Sequence, residues 1–337
     1  MSISVAVSVP FLLFCTMPPD LSIVILNWNA RDFLRACLRS LEQNPPQIEI
    51  EIIVVDNDSR LDDSANMVER EFLSVMLIRN PHNSGFASGN NLGWKCTRGR
   101  HVLFLNPDTV VEAGALDALV QALDENPQVG AAGPKMTYPS GELQFSARAF
   151  PSFGAGLFRN SFLGRAFPNN PWSRAYLGEG LSLDKNQSVD WLSGSALCAS
   201  RVALESVYLP NGPWDEDYFM YCEDIDLCFR LGERGWKRLY VPGATIQHHI
   251  GKSSDLAQAK SIRRHHAAMW LFYRKHYMRG AGFLLAPFAL AGIGIREFFA
   301  VAKLCRTYAR MGVLRLFLRR KARAKGWGWL FKPKGKS

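Results

Sequence analysis

Three short apolar runs, each stopped by a polar cluster, organise the first third of the chain: Leu21–Leu26, Glu49–Val55 and Val102–Leu105. Their length and β-branched content predict buried strands. Helical spacing comes after each of the first two runs, over Arg31–Gln43 and Asp63–Phe72, with a further strand predicted at Val75–Arg79. A glycine-rich turn, Asn83–Asn91, leads into another helix, and a helix-like pattern spans Val111–Leu123. Strand and helix alternating through short links predict right-handed βαβ units and a mainly parallel sheet.

The polar stops all fall on the carboxyl edge of that sheet, where open α/β folds bind ligands. They read Asn27-Trp28-Asn29, Asp56-Asn57-Asp58-Ser59 and Asn106-Pro107-Asp108. Pro107 ends the ladder of its strand and leaves Asp108 on short, stiff backbone. A carboxylate so placed suits a divalent cation and, through it, a diphosphate; it equally suits a helix N-cap. Asp56 suits a ribose or base, or an Asx-turn. Gly85 and Gly89 allow backbone to approach a ligand, and the helix start beside them can face anionic groups. Neither GxGxxG nor GxxxxGK[ST] occurs, which disfavours ordinary dinucleotide and P-loop sites.

From Gly133 to Asp190 the pattern loosens, as in a substrate loop, and order returns with Trp191–Ala199 and Trp214–Trp236. The latter holds the acidic block Asp215–Arg230, with Glu223, Asp224 and Asp226 clustered beside apolar positions. Carboxylates among aromatics have their pKa values pushed apart, as general-base work requires. The plain alternatives are a helix N-terminus favouring acids and an Asp226–Arg230 pair one turn apart. His248 and His249 follow a predicted strand, Leu239–Ile246. An imidazole there completes the coordination of a cation at Asp108, or is simply hydrogen-bonded.

Composition sharpens the picture in two places. With 337 residues, 47% of them hydrophobic, the chain can build a substantial core, and wholesale disorder is excluded. The net charge of +10 belongs to the tail, since every charged residue from Lys303 to Ser337 is Lys or Arg. Seven scattered cysteines without a CxxC pair favour reduced thiols over a disulfide framework or zinc site. Residues 1–19 read as an N-terminal extension, disordered or upstream of the true start, because no basic front precedes the apolar Ile3–Cys15 stretch. The uncharged Ala281–Ile295 run is about 22 Å long as a helix, short of the ~30 Å of a bilayer core. With the basic stretch around Arg319-Arg320-Lys321 and the late Trp327, Trp329 and Phe331, it predicts an amphipathic, interfacial anchor on an anionic leaflet. A short tilted or re-entrant span stays open.

Seven segments in order, SIVILNWN, IIVVDNDS, NSGFASGNN, FLNPDT, WLSGSALCASR, the YCEDIDLCFRL block and HHIGKS, resemble the family 2 glycosyltransferases, in particular their rhamnosyltransferase-like bacterial branch. The resemblance implies a GT-A (Rossmann-like) α/β fold over 20–255, its mainly parallel sheet flanked by helices. Residues 256–337 then form a helical, basic, membrane-associating extension. It implies that Asn29, Asp56, Asp58, Gly85, Gly89, Asn90 and Asn106 line a nucleotide-sugar. Asp108 stands where the family's DXD motif ends, binding Mn²⁺ or Mg²⁺ together with His248, for which the adjacent His249 is the alternative. Asp224 matches the base, while Trp191, Gly194, Ser195, Glu223 and Asp226 fall on the acceptor side. The expected activity is inverting hexosyl transfer, with rhamnose a candidate, from a dTDP- or UDP-linked donor to a polyprenyl-diphosphate-linked or polysaccharide acceptor in cell-surface glycan synthesis. It would proceed at the cytoplasmic face of the inner membrane. The rivals are a nucleic-acid-binding module using the basic tail, disfavoured because it leaves the acidic block unexplained, and a sugar nucleotidyltransferase.

Overall fold

A computed structural model describes residues 6–8, 17–152, 162–177, 182–249 and 258–324. Cys15, the Gly251–Ser253 end of the last motif, and Trp327, Trp329 and Phe331 lie outside the described residues.

The predicted strands form at β2 (Leu21–Asn27), β3 (Ile50–Asn57), β4 (Met76–Asn80) and β5 (His101–Leu105), after a short β1 (Ala6–Ser8). β4, β3, β2 and β5 run parallel as neighbours, and β1 pairs antiparallel with the outer edge of β4. The helices α1 (Arg31–Gln43), α2 (Ser64–Glu71), α3 (Phe86–Trp94) and α4 (Ala115–Asp124) connect or flank them.

Alternation along β5 sorts the core into two layers, since successive side chains face opposite sides of a strand. Leu103 and Leu105 join Leu21, Ile23 and Ile25 under α1, α2 and α4. Val102 and Phe104 face the other layer, with Val24, Trp94, Trp214, Leu227 and Leu231. At about 1.5–3 kcal/mol per buried large apolar side chain, these two layers dominate stability.

Beyond β5 the structure departs from expectation. The helix foreseen from Val111 begins only at Ala115, because Thr109–Val111 forms the short strand β6. The loose stretch contains β7 (Val129–Thr137), β8 (Leu143–Gln144), β9 (Ala147–Arg148), α5 (Phe162–Ala166), α6 (Pro171–Leu177) and β10 (Gln187–Val189). β11 (Trp191–Leu192) pairs with β9, and β12 (Ala196–Ser200) lies antiparallel between β5 and β7. α7 (Arg201–Ser206) and α8 (Glu223–Glu233) follow, and β13 (Lys237–His248) pairs with β7, β6 and β10. The sheet is therefore mixed, with its parallel half at the amino-terminal side.

The C-terminal region starts with α9 (Gln258–Phe272), passes through a π-helical turn at Tyr273–Tyr277, and ends in α10 (Ala281–Ala324). The amphipathic character expected here is absent. Phe283, Leu284, Leu285, Phe288, Ile295, Phe298 and Phe299 are exposed over about 200° of the helix circumference, a far wider arc than an interfacial stripe. Residues Gly282–Ala309 are long and apolar enough to cross a membrane, and within that span only Ala286 is buried. The short uncharged run underestimated it, because apolar residues resume after Arg296 and Glu297.

Candidate active site

The carboxyl ends of β3, β2 and β5 lie side by side, so Asn29, Asp56, Asp58 and Asp108 share one edge. Asp56 is buried and accepts hydrogen bonds from Asn27 Nδ2 (3.0 Å) and Ser59 N (3.1 Å). Asn29 takes a left-handed backbone (φ 52°) and accepts from Leu61 N at 2.8 Å; Asp58 (φ 66°) accepts from Arg60 at 2.8 Å. Both remain half-buried on the edge.

The glycine-rich turn serves packing more than expected. A Cβ on Gly85 (φ 88°) would stand 2.4 Å from the Phe219 carbonyl oxygen, which accepts from Phe86 N at 2.7 Å. A Cβ on Gly89 would meet Leu26 at 2.4 Å, so this glycine lets α3 lie close on β2. Asn90 is 1% exposed and donates to the Phe86 carbonyl at 3.0 Å. Its side chain is thus buried and bonded within α3. Sequence reasoning overlooked Asn57, whose amide bonds Asn80, Asn83, Ser84 and the Gly85 carbonyl and so fastens the turn to β3.

Asp108 is held by β6. The antiparallel register of β6 and β13 sets His248 opposite Thr109 and brings His248 Nε2 to 3.3 Å from Asp108 Oδ1. The other ring nitrogen, Nδ1, lies 2.7 Å from Gln144 Oε1, and donation to that oxygen leaves the Nε2 lone pair toward Asp108. His249 instead sets its ring 5.4 Å from Phe33, while its backbone N–H donates to the Asp108 carbonyl. A carboxylate and an imidazole so placed form a donor pair that fits Mn²⁺ or Mg²⁺, given further oxygens from a diphosphate and water. Among the described residues no cluster of three or more His, Cys, Asp or Glu side chains is placed to hold a metal by itself.

Asp224 sits in the first turn of α8. Its Oδ2 accepts from Gly194 N at 3.0 Å and its Oδ1 from Ile225 N at 2.9 Å. Burial pushes its pKa above the ordinary carboxylate value, and those N–H donors hold part of the rise back. Glu223 is buried, one of its oxygens lacks a partner, and burial beside the Asp224 charge raises its pKa well above normal. Of the two, Asp224 is the one whose anion is stabilised by N–H donors, and so the one placed to be ionised and to accept a proton.

The turn Ser193-Gly194-Ser195 joins the two halves. Ser195 accepts from Asn106 N at 2.9 Å through its carbonyl, while Gly194 donates to Asp224. The Phe86 ring stands beside Gly194, and Trp191 is buried, donating from Nε1 to the Ala149 carbonyl at 2.9 Å. Asp226 needs correction. It is 0% exposed and bound by Arg230 Nε (2.7 Å) and His276 Nε2 (2.7 Å), on the far side of α8 from the cleft. Burial alone would raise its pKa, yet the His276 hydrogen bond and the Arg230 charge outweigh it and hold it low.

Residues 22–174 match the family profile described as Glycosyl transferase family 2. The N-acetylglucosaminyl-diphospho-decaprenol L-rhamnosyltransferase of Mycobacterium tuberculosis is 39% identical over 186 residues, covering 55% of this chain and 58% of that protein. The chain thus matches little more than half of that relative's length. Rhamnosyltransferase WbbL of Escherichia coli is 25% identical over 72% of this chain and 88% of its own. The mannosyltransferase of Pyrobaculum calidifontis, solved with GDP-Man and Mn²⁺, superposes with a TM-score of 0.51 at 17% identity, over 93% of this chain and 84% of that one. On the strength of profile, relatives and sheet together, the segment 22–174 resembles glycosyl transferase family 2, and the sheet has a GT-A fold.

Proposed function

We propose that this protein is an inverting hexosyltransferase of cell-surface glycan synthesis, moving a sugar from a nucleoside diphosphate to a polyprenyl-diphosphate-linked acceptor at a membrane. The observation that carries the reading is the Ser193–Ser195 turn, bonded at once to the Asn106 end of the Asp108 edge and to Asp224.

In this reading the donor nucleotide lies along Asn29, Asp56 and Asp58, with its diphosphate toward Asp108 and His248. A divalent cation held by those two residues would supply positive charge against the departing phosphates. Asp224 takes the proton of the acceptor hydroxyl as its oxygen forms the new glycosidic bond. The bond from the anomeric carbon to the phosphate oxygen breaks, its electron pair leaving with the nucleoside diphosphate. One displacement from the opposite face inverts the configuration. Ser195 and Gly194 line the acceptor side, and Glu223 supports the site from below as a neutral acid. α10 supports membrane association, since its broad exposed apolar face suits a bilayer better than water.

The relatives' names favour an L-rhamnosyl donor and an N-acetylglucosaminyl-diphospho-polyprenol acceptor. The test is transfer from dTDP-rhamnose, with UDP- and GDP-sugars alongside, to such an acceptor in the presence of Mn²⁺. The expected result is an inverted glycoside plus a nucleoside diphosphate. Release of inorganic diphosphate would identify a nucleotidyltransferase instead.

A further inference from the structure

No acidic residue occurs from Gln258 to Ile295, a stretch that carries Lys260, Arg263, Arg264, Arg274, Lys275 and Arg279. Lys275 is engaged by Asp215 and Asp217, and Arg279 stands 3.6 Å from Glu233. Lys260 and Arg263 are exposed on α9, and among the described residues neither is in an ion pair. Arg264 lies with them at helical spacing, so the three cations form one patch.

That patch adjoins the cleft. The Arg264 guanidinium sits 3.9 Å above the centroid of the Phe219 ring, and Tyr221 hydrogen-bonds Ser261 and packs edge-on against His265 at 5.3 Å. Phe219 in turn accepts from Phe86 N, and the Phe86 ring stands beside Gly194, the residue that donates to Asp224. In the other direction, α9 runs into the stacked pair Trp270 and Tyr273, and Tyr273 donates to the Gly282 carbonyl at the start of the apolar helix. Aromatic residues of this kind favour the membrane–water boundary. The order is therefore apolar helix, aromatic boundary, cations, base.

We infer that Lys260, Arg263 and Arg264 form the binding subsite for the diphosphate of the lipid-linked acceptor. This rests on the proposed acceptor class and assigns residues to its recognition. A polyprenyl diphosphate sugar presents a hydrocarbon chain, two phosphates and a hydroxyl in the same sequence as the protein surfaces just described. Arg264 is pre-positioned by the Phe219 ring, so little freedom is lost when its fork meets phosphate oxygens.

The test uses the full chain in nanodiscs of neutral phosphatidylcholine with EDTA present, titrated with farnesyl diphosphate and, separately, farnesol. Arg264→Ala and the Lys260→Ala/Arg263→Ala pair are each expected to weaken farnesyl diphosphate binding about tenfold, while Arg264→Lys keeps most of it and farnesol binding is unmoved. Unchanged farnesyl diphosphate affinity in the alanine variants would overturn the assignment, as would equal loss for farnesol. Loss of binding to phosphatidylglycerol vesicles with farnesyl diphosphate affinity intact would assign the patch to the lipid surface and overturn it too. The acceptor reading itself is judged apart, by whether the unsubstituted enzyme glycosylates a polyprenyl-diphosphate-linked sugar at all.

Discussion

The two walls of the cleft handle carboxylates in opposite ways. On the β5–β6 wall, Asp108 faces an imidazole whose far nitrogen is pinned by Gln144. On the α8 wall, Glu223 and Asp224 are neighbours of like charge, and their ligands are backbone N–H groups or nothing. The first arrangement collects ligands for a cation; the second makes a carboxylate reluctant to stay ionised and therefore basic. In the proposed reading this sets the direction of charge flow: phosphate would depart toward the first wall, and the proton would move to the second.

The contrast is most exposed to refutation at Asp224. Asp224→Asn keeps the shape and is expected to lower kcat about 10³-fold while leaving donor affinity, read by isothermal titration, within twofold. Ordinary turnover would remove the base. Because the Asp224 pKa is raised, the acid limb of the kcat–pH profile in the unsubstituted enzyme should lie above the usual carboxylate range, with activity falling as pH drops through it.

Chelation addresses the other wall. EDTA should abolish transfer and Mn²⁺ restore it, and full activity in chelator would refute a cation at Asp108. Within that wall, His248→Ala is expected to cost about 10–100-fold in activity or metal affinity, and His249→Ala only about twofold. Equal losses would show that both imidazoles serve the site.

Asp226 tests the difference between being in α8 and being in the cleft. Asp226→Asn leaves Arg230 and His276 without their buried partner and should cost about 3–5 kcal/mol in urea unfolding. The native pair contributes stability above the ordinary carboxylate pKa of 3.8, and that contribution is lost as pH falls through the depressed folded value. A variant as stable as the parent at pH 7 would mean that the network contributes nothing. Its predicted role on the acceptor side failed for a geometric reason. Two residues along a helix is a rotation of about 200°, so Asp224 and Asp226 cannot share a face.

Elsewhere the apolar runs sufficed to place β2, β3 and β5, whose stretches Ile23–Leu26, Ile52–Val55 and Val102–Leu105 are continuous Val, Ile, Leu and Phe. β7 escaped notice because Gly130, Gly133 and Pro134 dilute its pattern, and β6 is too short to carry one. That omission mattered, since β6 is what brings Asp108 and His248 together. Gly85 and Gly89 were visible as glycines, but their purpose depended on Phe219 and Leu26, distant neighbours that no local pattern reveals.

The π-helical turn has a mechanical consequence. His276 is clamped to the helix that carries Asp224, and the apolar span begins at Gly282, a short strap further on. Such a strap reaches no more than about 22 Å even when fully extended. Were α10 embedded as proposed, the cleft would hover at a set height over the lipid, and an acceptor sugar would have to be delivered to that height rather than sought in solution.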